Sequence, residues 1–486
     1  MSELSQSLAD IPFGQQLVLA DGSALNILSI KRYLPKRRVV CRGIWNGQTV
    51  FAKLFYGKEA ARYAARDKAG VLALTKAHIK TPALLAEVPF VTPSGIALIF
   101  EAIEPAPNAE MLWPTLNASL RQALMVQLVT TVAQHHKAHL IQTDLYLKNF
   151  LVQDHTIYTL DGDGIRNLPF LMSKRQRLHN LAMLFSKMDV IEDEWINRLY
   201  EVYCEAMRLP FSVLMAAQLG QLTRQIRAKV SNNYADKKVF RNCTDVKVTR
   251  SAIYFTAVSR DYLFDEKMAQ SLDDYLENPA NNIKNGHTCT IAQAQLAQQS
   301  VVIKRYNIKS WIHAVGRRFR KSRAAISWAN AHRLIMVNIS TPKPLALVEE
   351  RAQWLANRAY FITEFVDAPD VAAFFAQPHA EQNKRDVAYQ VAQLFYRLYL
   401  LKISHGDCKA SNIKIKDGKP VLLDLDAMQA NPCFFEQKHL KDLRRFMRNW
   451  VNDAETIAIF KAAFVHAYDE ADDPWSQSLL ARAGID

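Results

Sequence analysis

Two lysines, four aspartates and two asparagines recur along the chain in an arrangement suited to chemistry on a phosphate chain. Asp144 stands five residues before Asn149, and Asp161 follows twelve residues later; Asp407, Asn412 and Asp424 repeat that spacing. Upstream, Lys53 in VFAKLFY and Lys304 in VVIKRYN sit in short β-branched or aromatic runs that read as strands. Phosphoryl transfer needs a cation on the phosphates, hard oxygen ligands for a divalent ion, and a carboxylate that orients an acceptor hydroxyl and takes its proton. On this reading Asp144 and Asp407 handle the acceptor, and Asn149, Asp161, Asn412 and Asp424 ligate magnesium. Lys53 and Lys304 contact the phosphates. A single Asp-x4-Asn set has a plainer explanation, because Asp and Asn also cap helices and form turns.

Duplication changes that balance. Asp144 and Asp407, Asn149 and Asn412, Asp161 and Asp424, and Asp163 and Asp426 are each separated by 263 positions, with no gap needed. The strand-like segments IALIFEAIEPA and AYFITEFVDAP keep the same offset between Glu101 and Glu364, and these strand ends read as a hinge whose backbone holds an adenine. Further upstream the copies drift, and Lys53 and Lys304 are 251 positions apart, as insertions in surface loops allow. Self-similarity of this kind points to two copies of one domain.

The elements that must position these residues follow from hydrophobic spacing. Leu120, Leu124, Leu128 and Val132 repeat at helical intervals before Asp144, as do Val387, Val391, Leu394 and Leu398 before Asp407. After each acidic loop come two short strands joined by a turn. The expected fold class is α+β, with two tandem bilobal units, each a β-rich N-lobe followed by an α-rich C-lobe. The first spans 1–240 and the second 241–486, with the boundary anywhere between 235 and 275. SNNYADKKVFRNCTDVKVTRS reads as a linker or as the first strand of the second copy.

Composition narrows the partners. The chain has 486 residues and carries 61 Lys and Arg against 47 Asp and Glu, a net +14, which favours an anionic partner. No aromatic stacking motif or recognition helix accompanies the charge, so nucleic acid is not expected. No apolar run is long enough to cross a membrane, and the opening segment lacks a secretory pattern, so a cytoplasmic protein is expected. Six scattered cysteines without a CxxC pair suit reduced thiols. His135, His136 and His139 invite a metal reading, but on a helix that already has a role they read as solvated or loop histidines.

The spacing of each acidic set is that of a protein-kinase-like catalytic loop and metal-binding strand. HGDCKASNIKI with VLLDLDAM, together with VVIKRYN, SRAAISWANAHRL and STPKPLALVE, resembles the lipopolysaccharide kinase family, whose members phosphorylate heptose or Kdo sugars of the inner core. VFAKLFY, QTDLYLKNFLV and YTLDGDGI carry the resemblance into the first half. It implies ATP with Mg2+, a lipopolysaccharide core or lipid-linked glycan substrate, and a cytoplasmic site at the inner face of the inner membrane. The sequence departs from the pattern in several places. Neither copy has a GxGxxG loop, which leaves backbone amides or Thr288 and Thr290 to cover the phosphates in the second. Where a helix Glu should pair with the lysine, counting back from Pro82 and Pro342 gives Asp67 and Ser327. The first copy has Gln142-Thr143 where the second has His405-Gly406, and it lacks the counterpart of Lys409. Asp163 and Asp426 read as supports for the metal ligands, further ligands or turn caps. The run Arg317, Arg318, Arg320, Lys321 and Arg323 reads as a solvated helix face or as a docking surface for anionic lipid or phosphorylated sugar. Two other functions remain open. One is a pseudokinase scaffold of lipopolysaccharide assembly; the other is a protein kinase, although little room is left after Asp424 for an activation segment.

Overall fold

Two similar architectures follow one another in the computed structural model, which describes residues 15–168, 172–286, 288–306, 321–352, 355–469 and 474–485. Contacts divide the chain into a first unit, residues 1–188 with 192–226, and a second, 189–191 with 227–486.

In the first unit, strands β1 (Gln16–Val18), β2 (Ala24–Leu34), β3 (Arg38–Trp45), β4 (Gln48–Tyr56), β5 (Leu84–Phe90) and β6 (Gly95–Glu101) form an antiparallel sheet in the order β1-β2-β3-β4-β6-β5. Alternation along each strand sorts its two faces. Val39, Cys41, Val50, Ala52 and Leu54 build one core, whereas Phe55 and Leu98 turn to the other face against α1 (Ala60–Lys76). The buried stripe of α1 is Ala60, Ala64, Asp67, Gly70, Val71 and Leu74. A carboxylate in the middle of such a stripe demands a cation opposite it.

The helical half begins with α2 (Ala118–Lys137), capped by Asn117, whose side chain accepts the Leu120 amide at 2.9 Å. Leu124, Leu128 and Val132 are buried as their spacing predicts, but Leu120 is half exposed, so the apolar stripe starts one turn later. The hairpin of β7 (Phe150–Gln153) and β8 (Thr156–Thr159) follows, then α3 (Lys174–Phe185) and α4 (Ile196–Met207), whose Leu181, Phe185 and Leu199 complete that core.

The second unit repeats the plan on a larger sheet. Its strands are β9 (Val246–Arg250), β10 (Tyr254–Ser259), β11 (Asn282–Asn285), β12 (Cys289–Leu296), β13 (Gln299–Tyr306), β14 (Pro344–Ala352) and β15 (Leu355–Glu364), in the order β9-β10-β14-β15-β13-β12-β11. The end of the ambiguous segment before residue 252 is therefore an edge strand, β9, paired with β10. Helix α5 (Arg323–Met336) corresponds to α1, with Ser322 accepting the Ala325 amide as its cap. The predicted stripe of α6 (Glu381–Leu400) is buried at all four positions. After it come the hairpin β16 (Ile413–Lys416) and β17 (Lys419–Leu422), then α7 (Phe435–Met447) and α8 (Ala454–Asp469). Each unit is thus an α+β, bilobal kinase-like fold.

Candidate active site

Strand pairing brings the sequence-predicted residues together. In the first unit Lys53 lies opposite Val40 on β3, and its ammonium reaches across to α1, donating to both oxygens of Asp67 at 2.9 and 2.7 Å. It also lies 3.5 Å from Asp161 Oδ1. Asp67 is the helix carboxylate that counting from Pro82 picked out, and the structure makes it the partner of the strand lysine. Burial pushes the Asp67 carboxyl up, and Lys53 only partly offsets this. Burial also acts to raise Asp161, but the charges of Lys53, Arg38 and Arg32 prevail and hold it below the ordinary carboxylate range.

In the second unit Lys304 lies opposite Ile291 and contacts Asp424 directly, with Asp426 Oδ2 at 3.9 Å. Ser327 does not pair with the lysine; its hydroxyl bonds Tyr306 OH at 2.8 Å, within the same core. Burial alone would lower the Lys304 ammonium, but the charges of Tyr306, Asp424 and Asp426 raise it overall. Asp424 is held below its usual value against the effect of burial, by Lys304 first and then by His405 and Arg323.

Asp161 and Asp424 share a backbone conformation as well as a position, with φ of 65° and 58° in the left-handed region. That region is uncommon for residues other than glycine, and in both units it turns the chain between a short strand and a one-turn helix. The two asparagines also match. Asn149 Nδ2 donates to the Asp144 carbonyl oxygen at 2.8 Å, and Asn412 Nδ2 donates to that of Asp407 at 2.8 Å. With the amide nitrogen committed, each Asn oxygen is left as a candidate ligand. Glu101 and Glu364 are the last residues of β6 and β15, and Ala83 N donates to Glu101 Oε1 at 2.7 Å.

Several contributors were not visible in the sequence. Asp442 of α7 accepts bonds from Ser404 Oγ, His405 N and Gly406 N at 2.9, 2.8 and 2.9 Å, and so fixes the segment entering Asp407. Arg445, one turn on, forms an ion pair with Asp407. In the first unit Lys187 stands over the Tyr146 ring at 4.3 Å; burial lowers its pKa while the charge of Asp144 raises it. Asp163 pairs with Arg66, and Asp426 with Arg323, so both act as anchors for the N-lobe helix.

Two expectations are corrected. Thr290 lies opposite Arg305, on the other sheet face from Lys304, so its hydroxyl cannot cover phosphates held by that lysine. His135 and His136 are not solvated: they are 1% and 2% exposed, bonding Thr159, Tyr203 and Asn180, and burial lowers them to about 3 and about 4. The basic run loses its centre to the limits of the structure, since Arg317, Arg318 and Arg320 lie outside the described residues. Among the described residues no helix is long and apolar enough to cross a membrane.

The sequence pattern of the lipopolysaccharide kinase (Kdo/WaaP) family matches residues 67–203 and 274–468. Both acidic sets fall inside those segments. No curated protein sequence matches the chain. Among solved structures, vaccinia related kinase 3 aligns at a TM-score of 0.30 and 10% identity, over 46% of this chain and 94% of its own. A crystal structure of WbdD aligns at 0.32 and 14% identity, over 43% of this chain and 53% of its own.

Proposed function

We propose, from the premise that the chain belongs to the lipopolysaccharide kinase (Kdo/WaaP) family and is a phosphotransferase acting on a lipopolysaccharide-related sugar, that its second unit transfers the terminal phosphoryl group of ATP to a heptose or Kdo hydroxyl of the inner core. The observation that carries this reading is a single constellation: Lys304 on Asp424, Asn412 locked to the Asp407 backbone, and Asp442 holding the segment that leads into Asp407. Asp407 orients the acceptor hydroxyl and takes its proton, and Lys304 holds the α and β phosphates. The Asn412 amide oxygen and the Asp424 carboxylate are hard donors on a preformed turn, which suits magnesium. The ion, when bound, neutralises charge on the phosphates. Backbone groups after Glu364 hold the adenine.

In the first unit Lys53, Asp144, Asn149 and Asp161 form a second nucleotide site, with Lys53 on the phosphates. Asn149 and Asp161 offer the same oxygen types as their counterparts, and Asp144 stands where the acceptor would be oriented. The protein would work in the cytoplasm, at the inner face of the inner membrane where its acceptor is assembled. Peripheral contact with anionic lipid there would draw on the net positive charge.

The test is direct. Purified full-length protein, ATP, magnesium and core oligosaccharide should yield an acceptor heavier by one phosphoryl group in mass spectrometry. Turnover of ATP without any gain on heptose or Kdo would move the activity to another acceptor. Absence of turnover would favour a scaffold built from kinase-like units.

A further inference from the structure

We propose that Arg38 is a phosphate ligand of the first unit's nucleotide site, placed to take over charge neutralisation from a divalent cation, so that this unit binds a nucleoside triphosphate without magnesium. The proposal rests on reading the first unit as a nucleotide site. Its starting point is register: Arg38 lies opposite Phe55 and Val40 opposite Lys53, so Arg38 and Lys53 share one sheet face on neighbouring strands. Arg38 is 5% exposed, and its Nε has no hydrogen-bond partner. Its NH1 lies 3.6 Å from Asp67 Oδ2 and 3.7 Å from Asp161 Oδ1, near enough for ion pairing and too long for hydrogen bonds. A buried guanidinium whose Nε is unpartnered and whose NH1 is held only at ion-pair distance can receive an anion with several oxygens.

The same geometry disfavours a metal ion. Asp161 Oδ1 already faces Lys53 at 3.5 Å and Arg38 at 3.7 Å. The lysine contact is common to both units, since Lys304 meets Asp424; the guanidinium is what the first unit adds, and a dication on that carboxylate would stand against this further positive group. The turn that carries Arg38 is fastened rather than loose: Lys36 N donates to Tyr56 OH at 3.1 Å, and Tyr56 N donates to the Arg37 carbonyl at 3.2 Å. A glycine-rich loop offers backbone amides to phosphates. This pinned hairpin offers an arginine. The second unit has Cys289 at the corresponding register position, opposite Tyr306, and no such guanidinium there.

The experiment uses the full chain with its second unit silenced by Lys304→Met and Asp424→Asn, titrated calorimetrically with ATP in EDTA and in magnesium. Binding in EDTA as strong as in magnesium is expected, and Arg38→Gln should weaken it by about tenfold to a hundredfold, the worth of a charged hydrogen-bonding group. Arg38→Lys keeps the charge between Asp67 and Asp161 and serves if the glutamine variant does not fold; loss of the planar fork should still weaken EDTA binding by about tenfold. Binding that requires magnesium overturns the inference and leaves the nucleotide site standing. Binding in neither condition overturns both. Full EDTA affinity in a folded Arg38 variant removes Arg38 from the site.

Discussion

The two units solve the same docking problem with different chemistry. Each must hold its N-lobe helix against the turn that carries Asp161 or Asp424. In the first unit α1 comes so close that a Cβ on Gly70 would lie 2.0 Å from the Gly162 carbonyl oxygen, and the Lys53–Asp67 pair spans helix and sheet. In the second, Leu425 occupies the place of Gly162, and Asn330 fills the gap, donating through Nδ2 to Leu425 O at 2.8 Å and Met428 O at 3.0 Å. The Tyr306–Ser327 bond then replaces the ion pair with the helix, which leaves Lys304 to Asp424 and, at 3.9 Å, to Asp426. The catalytic segments differ in the opposite direction. Asp442 receives three hydrogen bonds from residues 404–406, whereas its counterpart Asn180 donates to Gln142 O at 2.9 Å and accepts from His136. On the proposed assignment of roles, the first unit adds charge on the phosphate side, through Asp67 and Arg38, and the second on the acceptor side, through Asp442 and Arg445. If those roles hold, a few side chains would bias similar backbones toward binding in one unit and toward transfer in the other.

The largest effect should come from breaking the acceptor side. Asp407→Asn removes the group proposed to orient the hydroxyl and take its proton, a loss of about 10²-fold to 10⁴-fold in rate on core oligosaccharide. Asp144→Asn should leave most of the rate. Parallel assays on the two purified variants decide the matter. Equal losses would make the units two coupled catalysts, and a loss confined to Asp144→Asn would reverse the assignment.

A smaller effect tests the anchor behind Asp407. Asp442→Asn keeps shape but turns an acceptor of three bonds into a group that must present one oxygen to several donors, leaving buried N–H groups short of partners. The expected destabilisation is about 1–3 kcal/mol, read from denaturant melts, with a fall in turnover larger than any change in the apparent affinity for ATP. Asn180→Asp in the first unit should also destabilise, because it sets a buried carboxylate against the Gln142 carbonyl. If Asp442→Asn is silent in both readouts, the three-bond anchor is not what separates the units.

How much of this could be read beforehand depended on whether a residue's role was local. The acidic sets were legible because their spacing is fixed by one tight segment, from loop through hairpin to turn, that tolerates no insertion. The helix before each set was legible from its period. Asp67 could be found by counting from Pro82, yet the same count gave Ser327, and nothing nearby revealed that Tyr306 had replaced the ion pair. Asp442 and Arg445 were hidden because a charged residue on an amphipathic helix looks like its solvated face until the loop it meets is in place. Arg38 was hidden for a related reason: in PKRRVVCRG it is one basic residue among several in a hairpin turn, and only the strand register separates the buried one from its neighbours. His135 and His136 misled because their partners, Thr159, Tyr203 and Asn180, are remote in sequence.

The smallest expected effect concerns acid, and it separates two carboxylates that share Lys53. Asp161 is held below its ordinary value of 3.8, so its contribution to stability is complete above pH 3.8 and is lost as the pH falls through its lowered folded value. Asp67 is raised above 3.8 by burial, so its contribution is complete below pH 3.8 and is lost as the pH rises through its folded value. The two slopes have opposite signs on opposite sides of the same reference point. A tenfold change in a carboxylate's proton affinity on folding is worth about 1.4 kcal/mol, so the differences are small but measurable. Urea melts of the parent, Asp161→Asn and Asp67→Asn between about pH 3 and pH 6 should show the parent gaining on Asp161→Asn as the pH rises from the bottom of that range, and losing on Asp67→Asn toward the top. Parallel slopes for the two variants would mean that Lys53 and Arg38 serve both carboxylates alike. In that case the asymmetry between Asp67 and Asp161 would not be the feature that sets the first unit's phosphate side apart.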